Sequence, residues 1–231
     1  MGLSKKNILT AAATYNDTTD FFGDGTGLAL YELNNDRNSS QRLAEGGGNG
    51  YGPIGSGGSF SSDSKFGATS LYVNGGQRAS HSMAISNSSS RSISFWLKGG
   101  NLADYGSPIE FATGNRCGIV FHNSSGNGVI QGGFYTGSYY MVNTGVGLST
   151  SSWTHVVFAS SAFNNFTIYV NKTAYSYPFG SSTQGLSVGR YIGWGSNAGY
   201  WNGYIDQIRL IDKKVNQTEV NQLYNETDPN P

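Results

Sequence analysis

The chain has 231 residues, with 14 Lys and Arg balanced by 14 Asp and Glu, and 34 of its residues are glycine. Its scattered charges give no electrostatic footprint for a phosphate backbone, which argues against nucleic acid as a partner. A single cysteine, Cys117, excludes an intrachain disulfide, and no run reaches the roughly 20 apolar residues that a membrane span needs.

Residues 1–28 read as a polar N-terminal arm, a candidate anchor, ending in the Gly23–Gly27 turn GDGTG. The apolar patch Ile8–Ala13 is interrupted by Thr10 and too short for a secretion signal, so synthesis in a cytoplasm is expected. A first short strand is predicted over Leu28–Leu33. Asn34 to Ser64 is rich in Gly, Ser and Asn and reads as a long loop or a pair of edge hairpins. In Ser92–Lys98 the residues Ile93, Phe95 and Leu97 alternate with Ser92, Ser94 and Trp96, the period of two of a half-buried strand. Cys117 reads as a small buried hydrophobe. Gly126–Val142 reads as a hairpin turning at Gly137-Ser138, and Phe166, Ile168 and Val170 mark another alternating strand.

Tyr204–Ile211 is the last predicted strand, and it places Asp206 on one face with Ile208 and Leu210. Asn216, followed three residues later by Glu219, predicts a capped helix with Val220, Leu223 and Tyr224 on one side. Residues 227–231 hold two prolines and read as a frayed tail. Many short strands, tight turns and one short helix predict an all-β antiparallel sandwich, with residues 29–226 as one domain.

Glycoside hydrolysis needs two carboxylates flanking the scissile bond, but the acidic residues here are isolated. Gly185-Leu186-Ser187-Val188-Gly189 spells a nucleophile elbow, yet all three histidines precede it and no long helix follows, so it reads as a strand. His81, His122 and His155 lie too far apart for a metal-ligand spacing, and His155 reads as a hydrogen-bonded sheet residue. A sugar site would instead use exposed aromatics and amides. The candidates are Tyr139, Tyr191, Trp194, Trp201 and Asn202. No catalytic residue is assigned.

Four segments carry a family resemblance: KFGATSLYVNGGQ (65–77), SRSISFWLKGG (90–100), the run from SSWTHVVFASS to FTIYVNKTAYS (151–176), and YWNGYIDQIRLIDKKVNQTEVNQLYNE (200–226). Together they resemble laminin-G-like, concanavalin-A-like jelly-roll domains, which implies a sandwich with a short helix at its edge. In such relatives the residue matching Asp206 often helps to bind a structural Ca²⁺. The resemblance therefore implies a calcium site, with Asn34 and Asp36 as further oxygen donors; hydrogen bonds to backbone amides or an Arg partner are the alternative. ALYELNNDRN (29–38) and the closing segment resemble domains of phage tail fibres, head fibres and capsid decorations. That implies a non-enzymatic virion surface protein, assembled in the host cytoplasm, oligomeric on the particle, contacting other virion proteins and host-surface glycans. A free lectin is the alternative reading, with a glycoside hydrolase third.

Overall fold

The computed structural model describes residues 19–38, 40–41, 54–81, 90–99, 106–110, 117–122, 128–135, 139–162, 165–176, 191–195 and 199–227. The strands are β1 (Gly27–Tyr31), β2 (Ser40–Gln41), β3 (Ser59–Ser61), β4 (Ser70–Val73), β5 (Ala79–Ser80), β6 (Arg91–Gly99), β7 (Ile109–Glu110), β8 (Cys117–His122) and β9 (Val129–Tyr135). They continue with β10 (Tyr139–Gly147), β11 (Thr154–Ala162), β12 (Asn165–Val170), β13 (Thr173–Ser176), β14 (Tyr191–Ile192), β15 (Trp194–Gly195), β16 (Gly199–Tyr200) and β17 (Gly203–Ile211). One helix, α1 (Gln217–Tyr224), follows.

The larger sheet runs β13-β12-β11-β6-β17-β1-β2, and β4, itself paired with β3, joins β17 on the edge it shares with β1. The smaller sheet runs β10-β9-β8-β7-β14-β5, and β15 and β16 form a separate hairpin. Every pairing among the described strands is antiparallel. Ile93, Phe95 and Leu97 of β6, Val156 and Phe158 of β11, and Phe166, Ile168 and Val170 of β12 turn inward from the larger sheet. They meet Ile109, Ile130, Val142 and Ile192 of the smaller one in a single core. The alternation read in β6 and β12 is the alternation observed.

A second apolar cluster lies on the outer side of the larger sheet, where Val215, Val220 and Leu223 cover Val157, Ala159, Tyr169 and Ile211. The helix starts as its sequence predicts. Asn216 accepts from the Thr218 and Glu219 N–H groups (2.9 and 3.1 Å), and Glu219 accepts from the Asn216 N–H at 2.8 Å. Phe21 and Phe22 pack against this cluster, so the chain from Thr19 onward already belongs to the body that was expected to begin at residue 29. The last residue of the expected domain joins it too. Glu226 forms an ion pair with Arg209, whose side chain is 2% exposed.

β1 spans Gly27–Tyr31, slightly ahead of the predicted strand. The β9–β10 register ends at Tyr135 opposite Tyr139, leaving residues 136–138 between them where a two-residue turn was expected. The expected strand at Gly185–Gly189 lies outside the described residues, as do the cores of the Gly-rich segment and the N-terminal arm; the side chains of Cys117, His122 and Tyr139 are likewise not described.

Candidate functional site

Asp206 is fully buried, but not on the core face. Gln207 adopts φ +44 and the β17–β6 register shifts between Asp206 and Arg209, so one residue drops out of the alternation. Ile205, Ile208 and Leu210 therefore all reach the core. Asp206 pairs with Trp96 on the outer face, and Arg209 with Ser94 on the same face. The shift falls where the neighbour of β17 changes from β4 to β1. Lys65–Thr69 fills this gap and is held from two sides. The Asp206 carboxylate accepts from the N–H groups of Lys65 (2.7 Å), Phe66 (3.1 Å) and Gln207 (2.8 Å). Asn34 Oδ1 accepts from Ala68 (2.9 Å) and Thr69 (3.3 Å).

These contacts bear on the expected calcium site. Calcium takes oxygen ligands, whereas Asp206 and Asn34 face backbone N–H donors. Asp36 accepts from the backbone and side chain of Asn38, in an exposed local turn. Among the described residues no three His, Cys, Asp or Glu side chains are grouped to hold a metal ion. The geometry around Asp206 fits the backbone-amide alternative, and the donor set does not suit the ion.

His155 is also buried on the outer face, with Nε2 2.8 Å from Ser94 Oγ. It packs between Trp96 (centroids 4.8 Å apart) and Tyr224 (5.9 Å). Burial, aided by the charge of Lys65, pushes its pKa down to about 3, so it stands neutral as a structural residue.

The open chemistry lies at the β14–β16 corner. Gly193, at φ +83, separates Ile192, which faces the core, from Trp194, which faces outward. A Cβ at Gly193 would sit 3.0 Å from Val73, so glycine is required here for both its conformation and its size. The Gly193 N–H donates to Pro108 O and its carbonyl accepts from the Trp201 N–H, both at 2.9 Å, which fixes the corner. Tyr191 and Trp194 meet edge to face at 5.2 Å, and Tyr200, 42% exposed, lies 6.5 Å from Trp194. The Arg78 guanidinium lies over both Tyr191 (4.5 Å) and Trp194 (4.9 Å). On the sheet, Tyr191 stands between Ser80 and the buried Glu110.

Two of the five sequence candidates, Tyr191 and Trp194, thus come together. Trp201 does not join them: at 1% exposure it is part of the core and offers no ring face to a ligand. Asn202 is half-buried and accepts from the Tyr72 hydroxyl at 3.1 Å, in a different group of side chains. Arg78 was missed because nothing in GGQRAS announces a partner more than 110 residues away.

A family model described as the concanavalin A-like lectin/glucanases superfamily matches residues 81–221. Among solved structures the chain is similar to domain 4 of AbnA, an extracellular arabinanase from Geobacillus stearothermophilus in complex with arabinotriose. Identity is 22%, the TM-score is 0.67, and the match covers 85% of this chain and 97% of that one. It is similar as well to the binding domain of Paraclostridial Mosquitocidal Protein 1 (16% identity, TM-score 0.59, 86% of this chain and 51% of that one). A third match is to Trypanosoma rangeli sialidase (14%, 0.50, 67% and 27%), of which this chain spans about a quarter. At these identities the likeness is one of fold. A search of curated proteins finds no match.

Proposed function

The chain belongs to the concanavalin A-like lectin/glucanase superfamily, and on that premise we propose that it is a non-catalytic glycan-binding domain whose ligand rests on Tyr191, Trp194 and Tyr200. The observation that carries this reading is the exposed aromatic corner with Arg78 laid across it. Such rings offer apolar faces to the C–H side of a sugar, while the guanidinium supplies N–H donors to its hydroxyls. Domain 4 of the arabinanase, similar in fold, was solved with arabinotriose, which makes arabinan a sensible first probe. Hydrolysis has less support, because Glu110 is the one described carboxylate on the strand face beside the aromatic corner, and glycoside hydrolysis uses two.

Binding to an array of plant and bacterial polysaccharides tests the proposal. Selective binding should fall at least fivefold in Trp194→Ala, since losing one stacked ring costs about 1–3 kcal/mol. Equal binding by the variant and the parent would refute this placement of the site. We further propose a virion surface as the setting, with virion proteins as neighbours; this rests on the resemblance of residues 29–38 and 203–226 to phage structural domains. Mass spectrometry of purified particles from an infected host tests it, and absence of the chain from them would remove that setting while leaving glycan binding intact.

A further inference from the structure

The outer face of the larger sheet has two parts. Around Trp96 and His155 it is roofed by Tyr224 of α1 (5.5 and 5.9 Å). The next rung outward carries Tyr72 of β4, Tyr204 of β17 and Lys98 of β6, which stand side by side in register. Trp153 immediately precedes β11, beside them. Tyr72 and Tyr204 lie 4.8 Å apart with their planes tilted by 35°, and Trp153 meets Tyr204 at 6.4 Å. All three rings are half-exposed.

The polar groups around these rings have unused capacity. The Lys98 ammonium donates to both oxygens of Asp63 (2.8 and 2.6 Å) and, among the described residues, has a third N–H with no acceptor. Asn202 accepts from Tyr72 through Oδ1, and among the described residues its two amide N–H groups meet no acceptor. Asp63 is 36% exposed and keeps lone pairs free.

We propose that Tyr72, Tyr204, Trp153, Lys98, Asp63 and Asn202 form a second saccharide-binding patch. Flat rings offer a platform for C–H faces, N–H donors and carboxylate acceptors stand at its rim, and the paired charges cancel. That combination suits a neutral, hydroxyl-rich ligand better than an ionic one. The patch shares no side chain with the Tyr191–Trp194–Tyr200 corner. It takes its ligand class from the glycan-binding reading, but its occupancy is independent of that corner.

The protein's four tryptophans make the test direct. Indole N–H signals of ¹⁵N-labelled protein are followed by NMR during titration with arabinotriose, cellotriose and chitotriose, and Trp→Phe variants assign the signals. The Trp153 signal should shift saturably with at least one sugar, while the buried Trp96 and Trp201 signals stay in place. In Lys98→Ala the apparent Kd should rise by at least fivefold. A Trp153 signal unmoved by all three sugars overturns the proposal. So does one that moves only with protein concentration, which would mark a contact between copies of the chain. Movement of Trp194 alone leaves the corner standing and removes this patch; movement of Trp153 alone does the reverse.

Discussion

At the scale of single residues, two buried groups have consequences that can be measured. Asp206 is the sole described side-chain acceptor for the Lys65 and Phe66 N–H groups. Asp206→Ala would leave buried donors unmatched and should cost about 3–5 kcal/mol by chemical denaturation, whereas Asp206→Asn, which keeps an acceptor, should cost less. Because N–H donors face this carboxylate, EDTA should leave the melting temperature unchanged; a drop of several degrees would restore calcium to the site. His155 provides a pH signature. Its folded pKa is depressed to about 3, below the ordinary 6.5. The neutral form therefore favours the fold, and the stability is fully present above pH 6.5 and is lost as pH falls toward 3. The full loss is on the order of 5 kcal/mol. Between pH 6.5 and 5, where ordinary carboxylates are still ionised, the decline should flatten in His155→Phe.

Among the elements, β17 shows what the sequence can and cannot disclose. Its existence, its length and the capped helix after it are readable from period-two and period-3.6 patterns, because those patterns are local. The dropped residue at Gln207 is not, since it arises where the strand exchanges β4 for β1 as its neighbour, a long-range event. That is why Asp206 was expected beside Ile208 and Leu210 and is found beside Trp96. The aromatic corner was half readable for the same reason. The run RYIGWGSNAGYWNGY announces a cluster, but only the hairpin around Gly193 decides that Trp194 faces out and Trp201 faces in.

The join between β17 and the segment after α1 is likewise non-local. The Arg209–Glu226 pair is nearly closed to solvent (2% and 6%), so Glu226→Ala removes a carboxylate from a buried guanidinium and should cost about 3–5 kcal/mol. Replacing Arg209 with Met in the same chain should recover much of that loss. Additive losses in the double variant, read from urea midpoints, would show that the two side chains act independently.

For the whole molecule, β17 provides a ruler. It runs from Gly203, beside both aromatic groups, to Ile211, which pairs with Gly27 just after the N-terminal segment. Nine strand residues span about 27 Å. The two aromatic groups proposed to bind sugar thus lie at one end of the sandwich and the incoming chain at the other. If the proposed glycan binding holds, protein immobilised through its N-terminus should therefore bind polysaccharide as tightly as protein free in solution. A tenfold loss on immobilisation would contradict this polarity.

Arg209 lies at that incoming end, with Phe21 5.1 Å from its guanidinium on one side and Glu226 paired with it on the other. The first and last stretches of the folded body thus share one side chain. Two strands of chain that close together can be spliced into a surface loop of another protein without pulling that loop apart. In engineering terms, residues 19–227 form a cassette: its foot is about the width of one arginine, and the aromatic groups proposed to bind sugar stand at the far end of β17.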